Sequence, residues 1–412
     1  MKQSRRSFVG GLVSGVIVTL LLVCSVYAGV QLYELVVNGA GAKGTVTTAS
    51  EGSTGVVTNV KTAKKMQIIE NVIDEFFLEE VADEDLENGI YRGMISALND
   101  PYAAYYTQEE LKELQQSTQG IYYGIGAQVS LDADTQLPVL IRIFEESPAE
   151  EAGLLAGDMV YMVGETSVYG MDLTSAVSLI KGEEGTTVHL TIIREGEKDY
   201  LEFDVVRRKL NNITISQKMI EDRIGYIQIT EFDDVTVDQF VDALAVCKGS
   251  DMEGLIIDLR SNPGGNLSAV CDISRNLLPE GLIVYTEDKN GKKEEYRCDG
   301  KRQLDVPLVV LIDQYSASAS EILAGAVKDY EMGTLVGMTS YGKGIVQRIV
   351  SLSDGSAIKL TVSDYYTPKG NNIHKVGITP DVEVPFDSEA YKEGVDNQLE
   401  KAIEVLKEKM AE

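Results

Sequence analysis

Two short runs, GLIIDL (254–259) and PLVVLID (307–313), are apolar at nearly every position. A strand with one wet face alternates apolar and polar residues, so unbroken runs of this length belong to strands covered on both faces. RIGYIQITEF (223–232) reads as a further strand, and VDQFVDALAVCK (237–248) has the spacing of a helix. Strands alternating with helices predict an α/β core over about 209–387. The closing stretch DNQLEKAIEVLKEKMAE also has helical spacing, which gives a C-terminal helix within 388–412.

Upstream the pattern changes twice. From 118 to 208 short strands with glycine turns dominate, as in LPVLIRIF and TTVHLTIIREGEKDYLEFDVV, with one helix at TSAVSLIKG. From 64 to 117 the apolar residues recur every three or four positions, interrupted by acids, which predicts a helical region. Before it, GAGAKGTVTTASEGSTG (39–55) has the composition of a flexible linker, so 31–63 is read as one.

The first 30 residues set the compartment. Lys2, Arg5 and Arg6 precede Phe8–Ala28, which contain no charge. That is enough to span a bilayer with the cations on the cytoplasmic side, making 1–30 a transmembrane anchor and the rest extracytoplasmic. A cleaved signal peptide ending near Val26 and Ala28 is the alternative, and the length of the apolar run favours the anchor. The net charge is −28, and the first 30 residues contribute +3, leaving −31 for the remainder. Such a surface excludes a nucleic-acid binder. The four cysteines, Cys24, Cys247, Cys271 and Cys298, have no CxxC or metal-like spacing, and are expected as buried thiols or at most one disulfide. There is no HExxH, zinc spacing or P-loop, so no metal or nucleotide cofactor is expected.

Chemistry concentrates in three strings. DQYSASASEILAGAVKDY carries Ser316, Ser318 and Ser320 at the mouth of a helix. Ser318 and Glu321 form a capping-box pattern, which needs no catalytic role. Yet a helix start fed by a buried strand also aims amides and the helix dipole at developing negative charge. A serine needs a base, and SYGKGIVQRIVSL places Lys343 between glycines ahead of an apolar run expected to enter the core. Desolvation there would lower its pKa and let the neutral amine accept a serine proton. Gln347 lies on the same side of an extended strand, but reaches Lys343 only if the chain bends at the glycines. In DLRSNPGGNL a buried strand breaks at Asn262–Gly265, whose amides would suit an oxyanion. The chain has two histidines, His189 and His374. A histidine base is disfavoured because His189 falls in a strand of the middle region, far along the chain from Ser318.

SPAEEAGLLAGDMVYMVGETSV (147–168), with YYGIGAQV (122–129), resembles a PDZ domain, and the resemblance spans 118–208. PDZ domains hold a peptide C-terminus on backbone amides. The resemblance gives that role to Tyr123, Gly124, Ile125 and Gly126. With DPYAAYYTQEE (100–110) and YYTPKGNNIHKVGITPDVEV (365–384), the three strings resemble the C-terminal processing peptidases, or tail-specific proteases. The resemblance implies an α/β, crotonase-like serine peptidase core preceded by an inserted PDZ domain, with helical segments at both ends. It makes Ser318 the nucleophile, Lys343 the base and Gln347 its orienting partner. It assigns the oxyanion hole to the amides of Gly264 (or Gly265) and Ala319. Polypeptide C-termini are the implied substrates, and the terminal helices would suit the family's homodimers. Lys181 departs from the arginine common at its position, and His374 stands where many relatives have another polar residue. The rivals are a non-catalytic PDZ scaffold and a peptidase devoted to turnover of cell-wall hydrolases.

Overall fold

A computed structural model describes residues 57–221 and 223–411. The apolar segment 8–28 and the glycine-rich stretch 39–55 lie outside them. Among the described residues no helix is long and apolar enough to cross a membrane. The chain divides into two compact units, one up to Gly89 and one from Ile90 onward.

The first unit contains the helix Val60–Phe76, capped by Asn59 Oδ1 accepting from the Thr62 amide at 3.1 Å. That helix starts inside the stretch read as linker. A second helix, Asp83–Ser96, opens on Asp83, Glu84 and Asp85, whose charge suits the positive end of the helix dipole, and straddles the division between units. Neither helix buries a residue. The helical pattern of 64–117 is thus three helices, the third being Gln108–Gln119, with a short strand Ala104–Tyr106 between the last two.

The second unit is organised around a six-stranded sheet. Its order is Ile215–Ile220, Ile224–Ile229, Gly254–Asp258, Leu308–Ile312, Thr334–Gly337 and Val382–Glu383, all parallel except the first pair. The two apolar runs are its central strands, covered on both faces. Leu255, Ile257, Leu308, Val310 and Ile312 face a core built with the helices Thr236–Gly249, Leu267–Ser274 and Ala319–Asp329. Ile256, Val309 and Leu311 face the C-terminal helix Asn397–Ala411 through Ala402, Val405 and Leu406. Truncating a fully buried residue such as Ile256 to alanine would cost about 2–5 kcal/mol. Cys247, Cys271 and Cys298 are buried free thiols.

A buried ion-pair network joins the C-terminal segment to the sheet. Arg260 places Nη1 and Nη2 each 2.8 Å from the two Asp396 oxygens and binds the Asp258 carboxylate, to which Tyr226 Oη also donates at 2.8 Å. Removing one partner would leave a buried charge uncompensated. The network fixes the chain just before Ser261–Gly265.

A second sheet supports the region after Gly342. Its strand Ala357–Tyr366 pairs with Ile345–Ser351, with Gly281–Asp288 and with Ala104–Tyr106, and Gly281–Asp288 continues to Lys293–Cys298. The middle domain has its own sheet: Ala127–Leu131, Pro138–Ile143, Met159–Val163, Thr187–Ile193 and Leu201–Val206, with Thr166–Ser167 on the third. The entering strand Ile121–Gly124 pairs antiparallel with the leaving strand Arg208–Asn211, so the domain stands on a two-stranded stalk.

Candidate active site

The three serines separate by what their hydroxyls do. Ser316 is buried, with Oγ 2.8 Å from the Leu259 carbonyl oxygen and accepting from the Asp313 amide at 2.9 Å. Ser320 is buried and donates to the Asn262 carbonyl oxygen at 3.0 Å. Both fasten the loop after Ile312 to the loop after Asp258. Ser318 alone is partly exposed, at φ 53° and ψ −111°. A side chain at positive φ strains the backbone by about 1–3 kcal/mol, and persists only where neighbours hold it. Here they do. The Ser318 amide donates to Glu321 Oε2 at 2.8 Å, its carbonyl oxygen accepts from the Tyr365 hydroxyl at 3.0 Å, and the Glu321 and Ile322 amides also point to that oxygen.

The site lies beyond the carboxyl ends of the parallel strands, where ligands of open α/β sheets bind. Asn262 is its hub. Its Nδ2 donates to the Ile229 carbonyl oxygen at 2.8 Å and its carbonyl oxygen accepts from the Ala317 amide at 3.0 Å. Its Oδ1 accepts from the Gly264 amide at 2.8 Å. The Gly264 amide is therefore occupied. Among the described residues, the amides of Gly265 and Ala319 meet no protein acceptor. Gly264 has φ 106°, and a Cβ there would lie 2.8 Å from the Ser318 Cβ and 2.9 Å from the Ala319 amide nitrogen. Glycine is therefore required for the loop to approach the serine this closely.

Glu321 holds the two halves of the site together, a role beyond its reading as a helix cap. It is fully buried. Oε1 accepts from Ser340 Oγ at 2.6 Å and the Gly342 amide at 2.7 Å, while Oε2 accepts from the Ser318 and Lys343 amides, each at 2.8 Å. One carboxylate thus fixes the backbones of Ser318 and Lys343.

Lys343 is partly buried. Burial and Lys359 push its amine below the usual lysine range, against Asp100 and Glu321, which favour the charged form. The source of that burial differs from the expectation. Ile345 is buried, but Ile349, Val350 and Leu352 are about 40% exposed, because Ile345–Ser351 pairs only with Ala357–Tyr366 and runs along the outside. The lysine is shielded instead by the segment 100–102, with Nζ 4.6 Å from the Tyr102 ring centroid. Among the described residues, no hydrogen bond joins Nζ to Ser318 or to Gln347. Gln347 follows a register shift at Val346 and donates weakly to Thr361 Oγ1, at 3.4 Å.

His189 lies in the middle-domain strand and binds Asp204 at 2.7 Å, which raises its pKa. His374 comes nearer: a Cβ on Gly344 would sit 2.6 Å from the His374 amide nitrogen. Its buried Nδ1 has no hydrogen-bond partner, so it contacts neither Ser318 nor Lys343 through that atom.

In the middle domain Tyr123 and Gly124 end the stalk strand, and Ile125 and Gly126 form the loop after it. The Ile125 and Gly126 carbonyl oxygens accept from the Ala149 and Phe144 amides, at 2.7 and 3.0 Å. Their own amides meet no acceptor among the described residues. The following strand, Ala127–Leu131, is an edge strand. Beside the stalk strand Ile121–Gly124 is a cavity of about 840 Å³, lined by Tyr122, Tyr123 and Lys181 together with Lys112 and Gln116 of the helix Gln108–Gln119. Lys181 Nζ stands 5.7 Å from the Tyr122 ring centroid. Residue patterns gave no hint of this cavity, since its walls come from three separate segments.

The profile of Peptidase family S41 matches residues 223–384, that of a PDZ domain residues 143–194, and that of the activating protease CtpB N-terminal domain residues 19–110. The carboxy-terminal processing protease CtpB of Bacillus subtilis is 36% identical over 364 residues, covering 87% of this chain and 74% of that one. The chain belongs to the carboxy-terminal processing proteases. A carboxyl-terminal-processing protease of Synechocystis is likewise 36% identical, over 76% of this chain and 75% of its own. Among solved structures, an S41 protein from Bacteroides fragilis matches 77% of this chain and 90% of its own with a TM-score of 0.51 at 15% identity, a likeness of fold. The chain is therefore a serine-type peptidase with a PDZ domain, and the non-catalytic scaffold is set aside.

Proposed function

We propose that the chain is a membrane-anchored extracytoplasmic endopeptidase that captures polypeptide C-termini on its PDZ domain and cleaves them with Ser318 and Lys343. The observation that carries the catalytic reading is the division among the serines. Ser316 and Ser320 have structural partners, while Ser318 stands at a strained, well-held position beside the unoccupied amides of Gly265 and Ala319. In the reaction, neutral Lys343 takes the Ser318 proton as the oxygen attacks the scissile carbonyl. The two amides receive the oxyanion. The lysine then protonates the leaving amine, and water, deprotonated by the same amine, releases the acyl group. Gln347 would orient Lys343 in the substrate-bound enzyme.

C-terminal capture rests on the open amides of Ile125 and Gly126 and the unpaired edge of Ala127–Leu131, where a peptide could add as a strand. Anchoring rests on the uncharged run Phe8–Ala28 after three cations. Pairing of two copies through the terminal helices remains part of the reading, since Val60–Phe76 leaves every residue unburied.

The deciding experiment is hydrolysis of an unstructured peptide offered with a free or an amidated C-terminus. Cleavage should vanish in Ser318→Ala, and amidation should raise KM while leaving kcat nearly unchanged. Equal KM for both peptides would remove C-terminal capture. Trapping with the Ser318→Ala variant in spheroplasts would then identify the substrates and test whether cell-wall hydrolases are among them.

A further inference from the structure

The segment Asp100–Tyr106 is a distinctive string that the catalytic scheme leaves without a task. The structure gives it a definite place. Ala104–Tyr106 pairs with Ala357–Lys359, on the opposite edge of that strand from Ile345–Ser351. Asp100 Oδ1 accepts from the Tyr102 amide at 2.9 Å, closing a tight turn. Asp100 also stands beside Thr361, the residue to which Gln347 donates. The turn sets the face of the Tyr102 ring against Lys343 Nζ, 4.6 Å from the centroid. The Tyr102 hydroxyl lies beside that of Tyr341, two residues before the lysine.

We infer that Tyr102 is a positioning residue, the seat that holds the Lys343 ammonium away from Ser318 until the lysine gives up its proton. This rests on the assignment of Lys343 as base. The face of an aromatic ring attracts a cation through its quadrupole and has no comparable hold on a neutral amine. The charged lysine therefore stays on the ring. When the ammonium loses its proton to bulk water, the amine is free to swing to the serine hydroxyl. The seat couples the position of the base to its protonation, and keeps a charged, useless lysine out of the nucleophile's space.

The groups facing Nζ are Tyr102 with its neighbour Tyr341, Asp100, Glu321 and Lys359. Asp100, Glu321 and the ring favour the ammonium, whereas burial and Lys359 disfavour it. Removing the ring alone must lower the lysine pKa.

The test is the pH profile of kcat/KM for the full chain. In Tyr102→Leu and Tyr102→Met the midpoint of the alkaline rise should move down by about 0.5–1 pH unit, equivalent to roughly three- to tenfold higher kcat/KM at a fixed pH below the midpoint. Tyr102→Phe keeps the ring and should leave the midpoint in place. A merely structural tyrosine would change the plateau and move neither the activity midpoint nor the labelling midpoint described below, and that result would overturn the inference. So would an equal shift in Tyr102→Phe, which would assign the effect to the hydroxyl. A second readout is independent of turnover: brief acetylation of Lys343 with acetic anhydride across pH, read by peptide mass spectrometry in a Ser318→Ala background. The same downward shift is expected when Tyr102→Leu is added. If labelling shifts while the activity profile does not, the seat stands and lysine is not the base. If labelling does not shift, the seat falls.

Discussion

Ser318 and Lys343 stand in surroundings of opposite kinds. Ser318 ends a loop between a doubly covered strand and a helix whose first nine residues, Ala319–Val327, are all buried. Its amide and carbonyl oxygen are both held, and the loop facing it is tied down by Asn262, Ser316 and Ser320. Lys343 opens a hairpin that runs outward, fixed only at its backbone, with its amine on a tyrosine ring. In the proposed scheme the nucleophile and the oxyanion amides are preorganised, while the base is the movable part. Preorganised dipoles need no rearrangement at the moment of reaction. A base whose protonation must change gains from a position it can leave.

The contrast breaks most sharply if either member is dispensable. Ser318→Ala and Lys343→Ala should each lower kcat by roughly 10⁴-fold in a folded protein, and the double variant should be no worse than the singles. Full activity in Lys343→Ala would end the scheme. Ser316→Ala should lose less than about tenfold in kcat and instead lower stability by about 1–2 kcal/mol, visible as a reduced Tm. A loss as deep as that of Ser318→Ala would move the nucleophile.

Glu321 is where the rigid and movable halves meet. In Glu321→Gln one acceptor oxygen becomes an NH₂ group facing two donors, either Ser318 and Lys343 or Ser340 and Gly342. A fall in kcat of roughly 10²-fold with a smaller change in KM is expected, along with a loss of about 2–4 kcal/mol in urea unfolding. Wild-type kcat would show that the halves are positioned independently.

Next in size is the pH dependence. Burial lowers the Lys343 pKa, and only the neutral amine can accept a proton. Activity should therefore rise with pH along one ionisation, with a midpoint below the ordinary lysine value of about 10.4. His189→Gln and His374→Gln should move that midpoint by less than about 0.3 units, and strong chelator should leave activity in place. A shift or loss of the limb in His374→Gln would make a histidine the base.

The smallest effect sharpens the account of the rigid half, which contains one misfit. Asp233, next to the Phe232–Gly265 bridge, is buried with an unpartnered Oδ2. Burial, then Glu231 and Asp234, raise its pKa to about 6. A carboxyl with a raised folded-state pKa binds its proton more tightly in the native state. Its favourable contribution is therefore present at low pH and lost as pH rises through about 6. Asp233→Asn should stabilise the protein by about 1–3 kcal/mol at pH 8 and by less at pH 5. Equal gains at both pH values would show that the charge is not the cause.

What could be read along the chain was whatever is carried by local pattern. Leu255–Ile257 and Leu308–Ile312 announced doubly covered strands, because burial on both faces removes polar residues at every position. The Ser-Ala repeat, the glycine-flanked lysine and the Asn-Pro-Gly-Gly break are strings that the fold brings together, and each was legible because it needs particular residue types in fixed order. The apolar run after Lys343 misled, because an exposed hairpin and a buried strand can have the same composition.

The sequence by itself determined the α/β core, the peptidase family and the three strings of the candidate site. Tertiary structure decided which atoms within them are available. Gly265 rather than Gly264 has an open amide because Asn262 folds back onto the latter. Ser316 and Ser320 have structural partners because Leu259 and Asn262, more than fifty residues away, supply their acceptors. Glu321 became the link between serine and lysine, and Tyr102 the surface beneath the amine. A hydrogen bond or a ring contact is satisfied in space by whichever segment arrives there, and no periodicity along the chain encodes that arrival.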